Sequence, residues 1–183
     1  MERAVEKVRE RLLRAASALD GGGIPYVVIG GNAIAAWVAT VDESAVRNTQ
    51  DVDLLLRPED LDQAAAALSA AGFVRQHVGG IELFLDGPNA KARDAVHVIL
   101  AMKKVRSEYL TAAPDVEPWE KHPKFRLIPL ERLVEMKLNS FRIKDQMHLQ
   151  DLVQVGLIDQ TWPSRYPAPL AERLQQILDN PDA

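Results

Sequence analysis

The chain has 183 residues, 47% of them hydrophobic and 26% charged, with a formal net charge of −4 and no cysteine. That length suits one compact domain with a small helical appendage and is enough to bury a sizeable core. The composition excludes disulfides and thiolate metal sites, the net acidity argues against a general polyanion binder, and no apolar run approaches the length of a bilayer span.

Val5, Val8, Leu12, Ala15, Ala16 and Leu19 recur at helical spacing, predicting an amphipathic first helix that stops at Gly21-Gly22-Gly23. The opening residues, Met1 to Lys7, mix both signs of charge and lack the apolar block of a secretory signal, so a cytoplasmic protein is expected. A strand from Pro25 to Ile29 comes next. Asn32 then reads as the cap of a helix through Trp37. Asp51 to Leu56 reads as a strand, and Pro58 opens a helix that ends at Gly72. Three further strands are expected at Phe73–Val78, Ile81–Leu85 and Ala95–Leu100, the first two joined by a hairpin at Gly79-Gly80. A short extended run, Phe125–Ile128, precedes helices at Pro129–Phe141 and Lys144–Val155. After a proline-containing linker, Leu170, Leu174, Ile177 and Leu178 mark a last helix. Mixed strands and helices followed by helices alone make an α/β or α+β core, residues 1–128, with a C-terminal helical region, residues 129–183, packed on it.

Two places carry chemistry. Gly30-Gly31 closes an apolar run and precedes a helix, which is a place for phosphates to sit. Asp51 and Asp53 open another apolar run, and residues two apart on a strand lean to one side. Paired carboxylates in an apolar strand are costly unless a cation neutralises them, and the natural cation is Mg²⁺, which also brings substrate phosphates.

The string from Gly30-Gly31 through Arg47, Thr49, Asp51 and Asp53, with Lys137-Leu138, Arg142, Lys144-Asp145 and Asp151 downstream, resembles the DNA polymerase β-like nucleotidyltransferase superfamily. The likeness is to its small bacterial branch, which includes abortive-infection toxins and aminoglycoside nucleotidyltransferases. It implies a mixed sheet flanked by helices. It also implies Mg²⁺-dependent transfer of a nucleoside monophosphate from a nucleoside triphosphate to a hydroxyl, by in-line displacement. The acceptor is open among a small molecule, a tRNA end and a protein hydroxyl, and the branch's toxin–antitoxin pairs imply a cognate partner protein. On this resemblance Asp51 and Asp53 hold metal. Gly30, Gly31 and Asn32 bind the triphosphate, the Asn32 amide standing where a hydroxyl donor is usual. Arg47 and Thr49 either fix the loop or touch phosphate.

The resemblance also calls for a third metal carboxylate on a neighbouring strand. His97 stands at that position; Asp94 is the candidate acid three residues before it, and Glu82 and Asp86 are further candidates. Lys137 falls inside the apolar stripe of its helix and must meet an anion, either a structural aspartate or, by preference, a substrate phosphate. Asp145 reads as a helix cap or ion-pair partner, and His148 as a surface residue. The rival reading is a catalytically degenerate relative that binds a nucleotide or a protein, with His97 in place of the third carboxylate. A further rival is an antitoxin-like or structural component.

Overall fold

In the computed structural model, which describes residues 2–181, the chain opens with α1 (Glu2–Gly21) and buries Val8, Leu12, Ala15, Ala16 and Leu19 along one face. Met1, Asp182 and Ala183, at the outer ends of the two expected regions, lie outside the described residues. β1 (Tyr26–Ile29) leads directly into α2 (Gly30–Ala39). β2 (Val52–Leu56) and α3 (Leu61–Ala70) follow, separated by one 3₁₀ turn at Pro58–Asp60. β3 (Val74–Val78) and β4 (Ile81–Leu85) form the expected hairpin, with Gly79 and Gly80 both at positive φ, as a two-residue turn of this hand requires. β5 (Ala95–Leu100), β6 (Glu120–Lys121) and β7 (Arg126–Leu127) complete the strands. The chain ends in α4 (Leu130–Ser140), α5 (Ile143–Gln154) and α6 (Ala168–Asp179).

The seven strands form one mixed sheet in the order β3-β4-β5-β2-β1-β7-β6. β2 runs parallel to β5 and antiparallel to β1, while β1 runs parallel to β7. This topology puts β2 at the centre, which explains why Leu54, Leu55 and Leu56 are all fully buried. Each such leucine contributes about 1.5–3 kcal/mol of burial. The C-terminal helices are tied to the sheet end and to each other by named bonds. Trp37 Nε1 in α2 donates to the Ile128 carbonyl at 3.0 Å. Arg173 in α6 donates to the Leu138 and Asn139 carbonyls at 2.6 and 3.0 Å, satisfying the open end of α4.

Three local expectations change. α2 starts at Gly30, with Ile29 as its cap and no side-chain capping bond, so Asn32 lies inside the helix. β6 is a strand of two charged, exposed residues that periodicity could not reveal. His148 is buried, only 8% exposed, where a surface position was expected.

Candidate active site

The register of three strands assembles the site. Asp53 pairs with Ile29 of β1 on one side and with His97 of β5 on the other. Gly30 follows Ile29 immediately, so its backbone lies against the Asp53 side chain. A Cβ at Gly30, which holds φ +67°, would overlap the Asp53 carboxylate. Gly31 is just as constrained, since a Cβ there would come 2.7 Å from Thr49 Oγ1. Gly30 is therefore required by close approach and by its positive φ, and Gly31 by close approach alone.

Asn32 braces the segment that carries Asp51, and of the two roles open to Thr49 and Arg47 their hydrogen bonds serve the first, fixing that loop. The Asn32 side-chain amide donates to the Asp51 carbonyl at 2.7 Å. Thr49 Oγ1 accepts from the Asp51 N–H at 3.4 Å. Arg47 Nε donates to the buried Asp151 carboxylate of α5 at 2.8 Å, which pins the loop before β2, while its side chain stays 56% exposed. The Asp51 carboxylate itself meets Lys144 Nζ at 2.8 Å, in the first turn of α5.

Lys137 and Asp94 have other direct partners. Lys137 Nζ donates to Asp145 Oδ1 at 2.9 Å, and both side chains are buried. Ser140 Oγ and the Arg142 backbone N–H and guanidinium also donate to Asp145. Of the two anions open to Lys137, the structure supplies the structural aspartate, and Asp145 is at once ion-pair partner and cap of α5. Asp94 is turned to Arg11 of α1, 3.5 Å away, and does not join the aspartates. Asp86 is held by Arg11 and Arg14, and Glu82 by Arg75 and His77. Of the candidates for a third ligand, His97 is the one that stands beside Asp53, its Nδ1 3.6 Å from Asp53 Oδ1.

Charge in the site is divided unevenly. Burial pushes the Asp53 carboxyl up; His97 opposes that rise and the nearby Asp51 charge adds to it. Burial acts on Asp51 as well, but the Lys144 hydrogen bond and charge outweigh it, with help from His97 and Arg142, and hold Asp51 below the usual carboxylate range. The arrangement is a half-exposed acid kept ionised by Lys144 beside a more enclosed one whose burial outweighs the opposing pull of His97, Lys137 and Lys144. Among the described residues no three His, Asp or Glu side chains stand within reach of one common ion. The Asp51 carboxylate is engaged by Lys144.

Sequence reasoning did not assign Lys144 or Arg142 to the site. A signal was present, because two cations open α5, at the end where the helix dipole disfavours positive charge. Such a placement needs anions nearby, and Asp51 and Asp145 supply them.

Solved structures with this fold include the antibiotic-resistance factor ANT(2'')-Ia, with TM-score 0.57 and 16% identity over 96% of this chain and 91% of that one. They also include JHP933 from Helicobacter pylori, with TM-score 0.54 and 15% identity over 100% and 77% of the two chains. An antigenic nucleotidyltransferase-like protein from Paracoccidioides brasiliensis aligns with TM-score 0.57 and 16% identity over 97% and 90%. No curated protein is detectably similar in sequence. Residues 2–142, which span the glycine turn, both aspartates, His97 and Lys137, match the family described as "Uncharacterised nucleotidyltransferase", and the chain belongs to that nucleotidyltransferase family.

Proposed function

We propose that the chain transfers a nucleoside monophosphate from a nucleoside triphosphate to a hydroxyl acceptor, with Asp51 and Asp53 holding a divalent cation. The observation that carries this reading is the seating of Asp53 between the Gly30 turn and His97, with Asp51 two residues before it and paired with Lys144. The residues fit such an ion in their chemistry. Two carboxylates lie two residues apart with each other's charge felt at Asp53, burial raises Asp53 despite the nearby cationic groups, and the missing Cβ at Gly30 leaves backbone against the carboxylate. When bound, the cation would supply charge neutralisation and polarisation of the phosphate undergoing transfer.

The chain's own residues do the rest. The Gly30-Gly31 backbone, unshielded by side chains at the start of α2, offers N–H groups to the triphosphate. Lys144 and Arg142, both more than half exposed, face the anionic substrate from the start of α5. Asn32, Thr49 and Arg47 keep Asp51 at its station. Lys137 acts through Asp145, holding the α4–α5 junction that presents Arg142 and Lys144.

The test is incubation with α-labelled nucleoside triphosphates, a divalent salt and a mixed pool of small-molecule, RNA and protein acceptors. The reading expects label in an acceptor, lost by at least 100-fold in Asp51→Ala or Asp53→Ala. The lack of a third acid beside the pair favours one rival: a chain that binds nucleotide without turnover. That rival expects thermal stabilisation by the triphosphate with no label transferred.

A further inference from the structure

We infer that His97 is a ligand of the site's cation and that it biases the site toward Mn²⁺ over Mg²⁺. The inference rests on the nucleotidyltransferase reading above and deepens it. β5 carries His97 directly opposite Asp53, with Nδ1 3.6 Å from Asp53 Oδ1. That separation is too long for a hydrogen bond. It does match two donors sharing an ion, because ligands each about 2.1 Å from one cation span up to roughly 4 Å. Neither ring nitrogen of His97 makes a hydrogen bond among the described residues, so the lone pair is not spent on a structural role.

Elimination points the same way. Every acid on the neighbouring strand ends already has a cation: Glu82 has Arg75 and His77, Asp86 has Arg11 and Arg14, and Asp94 has Arg11. The third protein donor is then an imidazole. Asp51 completes the set by swinging from Lys144, a pair in which both partners are at least 40% exposed and which costs little to open. Two carboxylates and one imidazole are a poor match for Mg²⁺, which holds to oxygen ligands and near-ideal octahedral geometry. Mn²⁺ keeps the affinity for carboxylate and phosphate oxygen and, as a first-row transition ion, also takes an imidazole nitrogen that Mg²⁺ disfavours. His97 is in this account a determinant of metal choice.

The experiment is Mn²⁺ binding to the full chain followed by pulsed electron paramagnetic resonance, without nucleotide, in protein labelled with ¹⁵N only at histidine. The expected result is nitrogen coupling to bound Mn²⁺ that carries the ¹⁵N frequency in the labelled protein. In His97→Asp the coupling disappears while Mn²⁺ still binds, and the ratio of Mn²⁺ to Mg²⁺ affinity falls at least tenfold; His97→Gln loses the coupling as well. Saturable Mn²⁺ binding without histidine coupling, yet abolished by Asp53→Asn, overturns the role of His97 and leaves the aspartate site standing. Coupling that vanishes in His97→Asp with an unchanged metal ratio overturns the claim of selectivity. Failure of Mn²⁺ to bind, or binding indifferent to Asp53→Asn, overturns the aspartate site itself.

Discussion

Gly30 is the residue whose replacement is easiest to forecast. A side chain there is strained by the positive φ and meets the Asp53 carboxylate, so Gly30→Ala must move either the turn or the acid. We expect a loss of about 1–3 kcal/mol in denaturant unfolding, together with loss of nucleotide transfer. Lys137 makes a different prediction. Lys137→Met strands the Asp145 carboxylate in the interior, which costs roughly 3–5 kcal/mol for a buried pair broken on one side. Arg142 and Ser140 still reach Asp145, which places the cost at the lower end of that range. The double variant Lys137→Met, Asp145→Leu should recover part of the loss in thermal melts.

At this scale the sequence was legible where spacing alone sets geometry, as for Asp53 on β2 next to a glycine turn, although Asp51 lies one residue before that strand. It was illegible where the partner is remote. Arg11 lies 83 residues from Asp94, and no local pattern tells that the two meet. The role of Asn32 was hidden for a related reason: it bonds a backbone carbonyl 19 residues away, and a polar residue after two glycines reads equally well as a cap or a phosphate donor.

Among elements, α5 joins the most functions. Its first turn presents Lys144 to Asp51, its third residue anchors α4 through Asp145, and its Asp151 tethers the loop ahead of β2 through Arg47. Cutting that tether with Asp151→Asn should leave the sheet intact but loosen residues 46–50. The expected readout is amide hydrogen exchange in that loop faster by on the order of tenfold, with β2 and β5 unchanged. Strand order along the chain and most helices were readable from apolar periodicity. The buried face of α5 was not, because it is built from Asp145, His148 and Asp151 together with Leu149 and Leu152. A hydrophobic pattern cannot register Asp145 and Asp151, which are buried beside Lys137 and Arg47, or His148, which is buried without its charge.

Considered as a whole, the molecule has a built-in sensitivity to acid. Burial pushes the His148 imidazole down to about 4, and the charges of Lys137, Lys144 and Arg47 add to that against the opposing pull of Asp145. The folded chain therefore keeps His148 neutral while the unfolded chain takes up a proton below about 6.5. Stability from this group is complete above that pH and is lost as pH falls toward 4, a change of roughly 3 kcal/mol at most. Asp145, held below the usual carboxylate range despite its burial by Arg142, Lys137 and Ser140, adds a further loss at still lower pH. Asp53, which is raised, works in the opposite sense, so the informative comparison is between variants at each pH. His148→Leu should flatten the stability profile between pH 6.5 and 4 relative to the native chain, as measured by urea unfolding.

The sheet also shows what no reading of strands in isolation supplies: the parallel pairing of β5 with β2 that sets His97 opposite Asp53. That pairing depends on a crossover through α3 and the β3–β4 hairpin, a feature of topology that leaves no mark on local sequence. The central claim is that Asp51 and Asp53 close on one divalent ion at the Gly30 turn. Anomalous diffraction from crystals soaked in Mn²⁺ with a non-hydrolysable nucleoside triphosphate tests it most directly. The expected result is a manganese peak about 2.1–2.3 Å from a carboxylate oxygen of each aspartate, with Lys144 released from Asp51. A peak confined to other residues, or none while Lys144 still holds Asp51, would contradict it.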